Sequence, residues 1–303
     1  MIGIRGVFDR TGEAVLSQVR SVILLGGAIR RNEFLTAARR SLLDLPVKQG
    51  QTLFEQWQES CGRLAERIGR DRLPLRLLLD AGSPEPEPPA ASSRVDVRVE
   101  RDPRPLRGTG GILRDLSEQY GPDDFLLVAN AGQVLFDPLE SLVASMAATG
   151  GEICVVSHLD GTPSGFMLVR CECLKQIPAV GYVDMKEQGL PRISKKHLAS
   201  VVFRDVPTGF PVRTFRDYIH ALRRYHRALD EASQPFDPFA EDWRSSFHIV
   251  EEGAEVDPDA RLHDSVVLRG GRVQKNAFVA RSIVCPSGVV PGSRRVVDEL
   301  IAL

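Results

Sequence analysis

Apolar residues recur along the chain with three different spacings, and each spacing predicts a different element. From Ser21, "SVILLGG" is continuously apolar and closed by two glycines, the pattern of a buried parallel strand that opens into a loop approached closely by phosphate or backbone. In "TLFEQWQESCGRLAERIG", Leu53, Phe54, Trp57, Cys61, Leu64 and Ile68 fall at helical spacing, and "LPLRLLLDAG" from Leu73 reads as the next strand. Strand, helix and strand in succession is the rhythm of a parallel sheet. "RVDVRVE" alternates as a strand exposed on one face, "GTGGILRDLSEQYG" reads as a glycine turn leading into an amphipathic helix, and "DDFLLVANA" as another buried strand. "LESLVASMAATGG" and "EICVVSH" carry the alternation to residue 157. Residues 82–93, "GSPEPEPPAASS", are expected to form a surface loop.

Residues 21–235 therefore read as an α/β domain, a Rossmann-like, doubly wound and mostly parallel sheet. It ends in a long helix with Phe215, Ile219, Leu222 and Leu229 on one side, and residues 1–20 stand before it as an extension. After that helix the period changes. Val250, Val256, Leu262 and Leu268 are six residues apart, and Val284, Val290 and Val296 resume the step after a slip. A six-residue period with turn residues between predicts a short left-handed parallel β-helix over residues 245–300.

Composition excludes more than it assigns. A 303-residue chain is long enough for an enzyme, and a net charge of -1 gives no global attraction to nucleic acid or anionic lipid. Cys61, Cys154, Cys171, Cys173 and Cys285 form no CxxC pair, which predicts reduced, buried thiols; Cys171 and Cys173 are spaced to share one face of a strand. No apolar run approaches a membrane span and the first residues lack a signal-peptide hydrophobic region, so the expected location is the cytoplasm. The arginines between Arg213 and Arg227 stand in a chain without a basic balance and predict a solvated or partner-facing helix, with no nucleic-acid contact.

The glycine-closed first strand, the G-T-G-G turn, the strand ending near Gly132 and the six-residue repeat occur in an order that resembles the sugar-1-phosphate nucleotidyltransferases. That family joins an NTP and a sugar 1-phosphate to give a nucleotide sugar and pyrophosphate. The resemblance implies a nucleotide site at Gly26, Gly27, Arg30, Gly108, Thr109, Gly110 and Gly111. Arg31 and Arg40 fall near the family's catalytic Arg and Lys, while Ile29 and Arg30 replace the Gly and Thr of its first loop. Ser164 and Gly165, with Gln133, are the implied sugar-side contacts. Where the family's strand ends N-G-D-V, this chain has Ala131, Gly132 and Gln133; Pro211 stands where its second Asp precedes the last helix. Both implied Mg²⁺ ligands are replaced, and a neutral amide is a poor substitute for a carboxylate.

Three functions follow as expectations. The first is a regulatory pseudoenzyme that binds a nucleotide sugar or NTP beside an active paralogue or as a homo-oligomer. The second is a working enzyme in which Arg30, Arg31 and Arg40 offset phosphate charge and Asp137 recruits Mg²⁺. The third is a scaffold without nucleotide, with Ile29 or Phe34 filling the phosphate site.

Overall fold

A computed structural model of the chain describes residues 12–28, 32–101, 107–233 and 247–302. The elements begin with α1 (Gly12–Ser17), β1 (Val19–Leu25), α2 (Glu33–Ala38), the short antiparallel pair β2 (Pro46–Lys48) and β3 (Gln51–Thr52), and α3 (Leu53–Arg67). They continue with β4 (Leu73–Leu79), β5 (Val95–Arg101), α4 (Gly108–Ser117), β6 (Phe125–Asn130), β7 (Gln133–Leu135) and α5 (Leu139–Ala147). The hairpin β8 (Ile153–His158) and β9 (Pro163–Arg170) is followed by α6 (Cys171–Leu174), α7 (Leu190–Ile193), β10 (Ala199–Arg204), β11 (Gly209–Pro211) and α8 (Phe215–Ser233).

Seven strands form one sheet in the order β10-β8-β9-β6-β1-β4-β5. The class is α/β, as expected, and the sheet is mixed: β9 runs antiparallel to both neighbours while the other pairs are parallel. Only residues 159–162 separate β8 from β9, too few for the crossover that a parallel neighbour requires. Alternation along β1 sends Val22 and Leu24 into one core and Ile23 into another. The first core is covered by α1, α3, α5 and α8, the second by α4, α6 and residues 183–193. Helix α3 starts where the Thr52 side chain accepts from the Glu55 N–H and Glu55 accepts from Thr52, a reciprocal cap that satisfies two backbone donors.

Three local expectations change. Gly108 to Gly111 lie inside the first turn of α4, so the G-T-G-G segment is the helix start itself. Cys171 and Cys173 sit in the single turn of α6 and not on a strand; both are buried, and burial pushes each thiol up to about 12. Leu229 is 46% exposed, because the last turns of α8 run past the core that holds Ile219 and Leu222.

Beyond residue 246 the chain winds through β12 (His248–Val250), β13 (Glu255–Val256), β14 (Arg261–His263), β15 (Ser265–Val267), β16 (Arg272–Val273), β17 (Phe278–Ala280), β18 (Ile283–Val284), β19 (Val289–Val290), β20 (Arg295–Val297) and β21 (Leu300–Ile301). These strands make three parallel ladders in which every partner lies 17 residues on, as in Val250 with Val267, Val256 with Val273 and Leu262 with Val279. A coil thus advances by steps of six, six and five residues. The five-residue step falls at a corner held in the left-handed region, by Asp264 (φ 47°), Arg281 (φ 46°) and Asp298 (φ 57°) in successive coils. Val267, and not Leu268, consequently joins Val273, Val279 and Val284 inside the stack, while Leu268 turns outward into the core shared with the helices.

Phe247, Ile249, Val266, Leu268, Ile283 and Cys285 belong to the same buried cluster as Leu42, Trp57 and Tyr218. Polar contacts fix the same junction: Arg40 pairs with Glu251 at 2.7 Å, Arg223 with the buried Asp264 at 2.8 Å, and the Gln49 amide reaches both the N–H and the carbonyl of Val250. Among the described residues no helix is long and apolar enough to cross a membrane.

Candidate functional site

In an open α/β sheet the carboxyl ends of the parallel strands form the crevice in which ligands bind. Here that rim gathers segments far apart in sequence. Ala131, just past β6, donates its N–H to the Leu25 carbonyl at the end of β1, and the Trp57 indole N–H closes on the Ala131 carbonyl at 3.1 Å. Asn130 folds its side chain back to accept from the Gly132 N–H, and the Gly132 carbonyl accepts from Val212 at 2.8 Å. Asn32, which caps α2, donates to the Arg213 carbonyl at 2.9 Å. The loop after β1, the end of β6 and the approach to α8 therefore share one edge.

At the centre of this rim β7 and β11 form a two-stranded antiparallel ladder whose register sets Gln133 directly opposite Pro211. The two positions where the family resemblance implies metal carboxylates are thus cross-strand neighbours. Gln133 is 1% exposed and, among the described residues, its amide nitrogen has no hydrogen-bond partner. Such a buried donor carries a desolvation penalty of about 1–3 kcal/mol unless something accepts from it. Gly165, at φ +84°, lies over this amide: a Cβ there would be 4.0 Å from the Gln133 nitrogen and 3.5 Å from the Asn130 Cβ. Ser164 beside it is buried, donating to the Val156 carbonyl and accepting from the Phe166 N–H. Thr208, also 1% exposed, holds a hydroxyl without a partner among the described residues, while its carbonyl accepts from both Phe136 and Asp137.

Mg²⁺ demands hard anionic oxygens in a near-octahedral shell. An amide whose nitrogen is the orphaned atom, facing a proline ring, supplies none, so this pair does not fit the metal. Asp137 follows the far end of β7, up to about 13 Å along the chain from Gln133, and its carboxylate faces Arg204 at 3.9 Å. Among the described residues, the His, Cys, Asp and Glu side chains close enough to share an ion are Glu152, Cys173 and His197, within 4.8 Å of one another. They lie at the opposite edge of the sheet, where Glu152 is already bound by Arg170 at 2.5 Å and by the Leu198 N–H at 3.2 Å.

The remaining sequence-derived positions divide. A Cβ on Gly26 would come within 2.6 Å of the Leu78 carbonyl, so that glycine is required by β4, whereas a Cβ on Gly27 would meet nothing within 4 Å among the described residues. Gly108, at φ +68°, and Gly110 press on the Val183 carbonyl at 2.5 and 3.0 Å from their notional Cβ atoms. Gly111 abuts the Arg107 guanidinium, which is itself clamped to Asp115. The Thr109 hydroxyl accepts from the Met185 N–H at 3.1 Å. The missing side chains of this helix start are thus accounted for by the chain's own segment 181–185, at Gly108 and Gly110, and by Arg107, at Gly111. Arg40 is committed to Glu251 at the junction with the coils. Phe34 is buried against Tyr218 with ring centroids 5.8 Å apart, which removes it from the rim. Ile29, Arg30 and Arg31 lie outside the described residues.

Next to the ladder a cleft of about 570 Å³ opens between the β8–β9 turn, residues 205–211 and the start of α8. Pro211, Gly209 and His158 line it together with Asp160, Asp205 and Asp217. Each carboxylate already accepts from backbone: Asp160 from Thr162, Asp205 from Val206, and Asp217 from Arg213 and Thr214. The hydrogen bonds that Thr162 donates to Asp160 hold its carboxyl below the usual range. Sequence reasoning missed Asn130, Thr208 and Gly209, since a three-residue ladder such as β7–β11 leaves no periodic signal.

No family model matches the sequence, and no curated protein matches it. Among solved structures, the chain is similar to a Mycobacterium tuberculosis rv0371c homolog from Mycobacterium sp. strain JC1, at 19% identity and a TM-score of 0.45, over 70% of this chain and 98% of that one. It is also similar to HddC from Yersinia pseudotuberculosis, at 15% identity and a TM-score of 0.45, over 68% of this chain and all of the other. For HddC complexed with GMP-PN the identity is 14% and the TM-score 0.46, over the same shares of the two chains.

Proposed function

We propose that the rim binds a nucleotide sugar or NTP without a divalent metal, and that the protein acts as a regulatory, catalytically impaired relative of the sugar-1-phosphate nucleotidyltransferases. The observation that carries this reading is the Gln133–Pro211 pair, an orphaned buried amide where the resemblance implies two carboxylates. In-line attack on an α-phosphate without a metal forgoes several kcal/mol of charge stabilisation, so turnover is lost while binding persists. Gln133 donates its free N–H to a ligand oxygen, Gly27 leaves its backbone open to phosphate, and Gly165 leaves room for a sugar ring. In the same reading the domain expected over residues 245–300, described from residue 247, is a left-handed β-helix on a cytoplasmic protein that works beside an active paralogue or as a homo-oligomer.

Thermal unfolding against NTPs and nucleotide sugars, each with and without Mg²⁺, tests it. A ligand at 100 times its Kd adds about 2.7 kcal/mol of stability, and the expected shift is the same with and without the metal. A shift that appears only with Mg²⁺, accompanied by pyrophosphate release, would sink the proposal in favour of a working enzyme. In that second case Asp137→Ala abolishes release; the Arg204 contact favours the opposite result, no effect on ligand binding. Gln133→Asp combined with Pro211→Asp is expected to make ligand stabilisation respond to Mg²⁺.

A further inference from the structure

The two edges of the main sheet are dressed in opposite ways. At one edge β5 carries Asp96, Arg98, Glu100 and Arg101, tied into ion pairs with one another, with Arg76 and with Glu85. Charges of this kind keep a strand edge from pairing with another chain. At the other edge β10 reads Ala-Ser-Val-Val-Phe-Arg. Its even positions are occupied: Ser200 meets Thr149, Val202 packs on the helical core and Arg204 faces Asp137. Its odd positions are bare, with Val201 45% and Phe203 62% exposed. Leu159, Leu198 and Val206 surround them, so five of the ten large apolar side chains exposed among the described residues crowd this edge. A concentration of that kind marks a covered surface.

We propose that β10 pairs antiparallel with β10 of a second copy, so that the two sheets become continuous across a two-fold axis at Val202. Two features of the strand select a copy of itself. A two-fold axis perpendicular to the sheet keeps both odd faces on the same side, which requires a register in which position numbers sum to an even value. With Val202 opposite itself, Val201 of each copy stacks on Phe203 of the other, and each bare side chain covers its counterpart. The charges agree as well: exposed Lys195 and Lys196 lead into the strand and exposed Asp205 follows it, so an antiparallel partner brings the acidic end of one copy towards the basic end of the other. This pairing is independent of what the rim binds.

Sedimentation of the full chain at micromolar concentrations tests the pairing. The expected species has the mass of two chains, and Val201→Lys with Phe203→Lys weakens association by at least about 100-fold, through like charges placed across the seam, while circular dichroism is unchanged. Val202→Cys, set opposite itself, is expected to form an intermolecular disulfide under mild oxidation, since directly opposed antiparallel residues have Cα atoms about 4.5–5.5 Å apart, within the span of a disulfide. A wild-type monomer, or a dimer indifferent to the double lysine variant, overturns the proposal; a dimer that the lysines dissociate but Val202→Cys does not cross-link overturns the register.

Discussion

In the seven-stranded sheet the central strands bury their faces against helices from distant parts of the chain, whereas in the coil stack each inward residue packs on the residue 17 positions away. The sheet half therefore depends on long-range contacts and the coils mainly on neighbours, as in repeat architectures. The two halves nevertheless share one buried cluster, through Phe247, Ile249, Val266, Leu268, Ile283 and Cys285. The comparison teaches that the stack's inward residues repeat regularly while its outward ones, Leu268 among them, form the wall on which the helices sit.

The sharpest way to break this picture is Trp57→Ala, which empties a fully buried site and removes the hydrogen bond to Ala131. A loss of about 4 kcal/mol is expected, and because the core is continuous the coils should unfold in the same urea transition. Coil amides such as that of Val273 keeping their hydrogen-exchange protection after the sheet amides lose theirs would show two independent units. Gly108→Ala should follow at about 3 kcal/mol, since an alanine at φ +68° is strained and its methyl meets the Val183 carbonyl; an effect under 1 kcal/mol in chemical denaturation would mean the 181–185 segment yields.

Val273→Ala is expected to cost about 2 kcal/mol, for two buried methyl groups and the void they leave. A fall no larger than that of an exposed valine such as Val289 would refute the 17-residue register. Arg40→Ala removes one member of a partly buried pair and should cost about 1 kcal/mol, with faster exchange at Glu251; unchanged exchange there would place the junction's strength in its apolar contacts. A further effect concerns pH. Burial raises the Asp44 carboxyl from 3.8 to about 6, against the opposing pull of the N–H groups of Glu87 and Ser41. The folded state thus binds this proton more tightly than the unfolded one, so its contribution is complete below 3.8 and is lost as pH climbs through about 6. Asp44→Asn should flatten that part of the stability curve, by no more than about 2 kcal/mol after solvent screening, as urea midpoints across the range would show.

Local periodicity was legible in the sequence. The spacing of Leu53, Trp57, Cys61 and Leu64 specified α3, and the continuous run at Ser21 specified β1, because a helix or strand needs only its own residues to present an apolar face. The coils were legible in outline for the same reason. Their five-residue step was not, since Asp264, Arg281 and Asp298 are ordinary polar residues until the backbone places them in the left-handed region. At the candidate site the sequence supplied Gln133 and Pro211 as separate replacements, and only tertiary structure set them face to face, through a ladder whose partners lie on either side of three α-helices and three strands. Tertiary structure also assigned Gly108 and Gly110 to a contact with Val183 and reversed β9 beside β6. Such decisions fall to the tertiary structure because pairing between distant segments depends on which backbone groups and buried side chains remain to be satisfied once the local elements have formed.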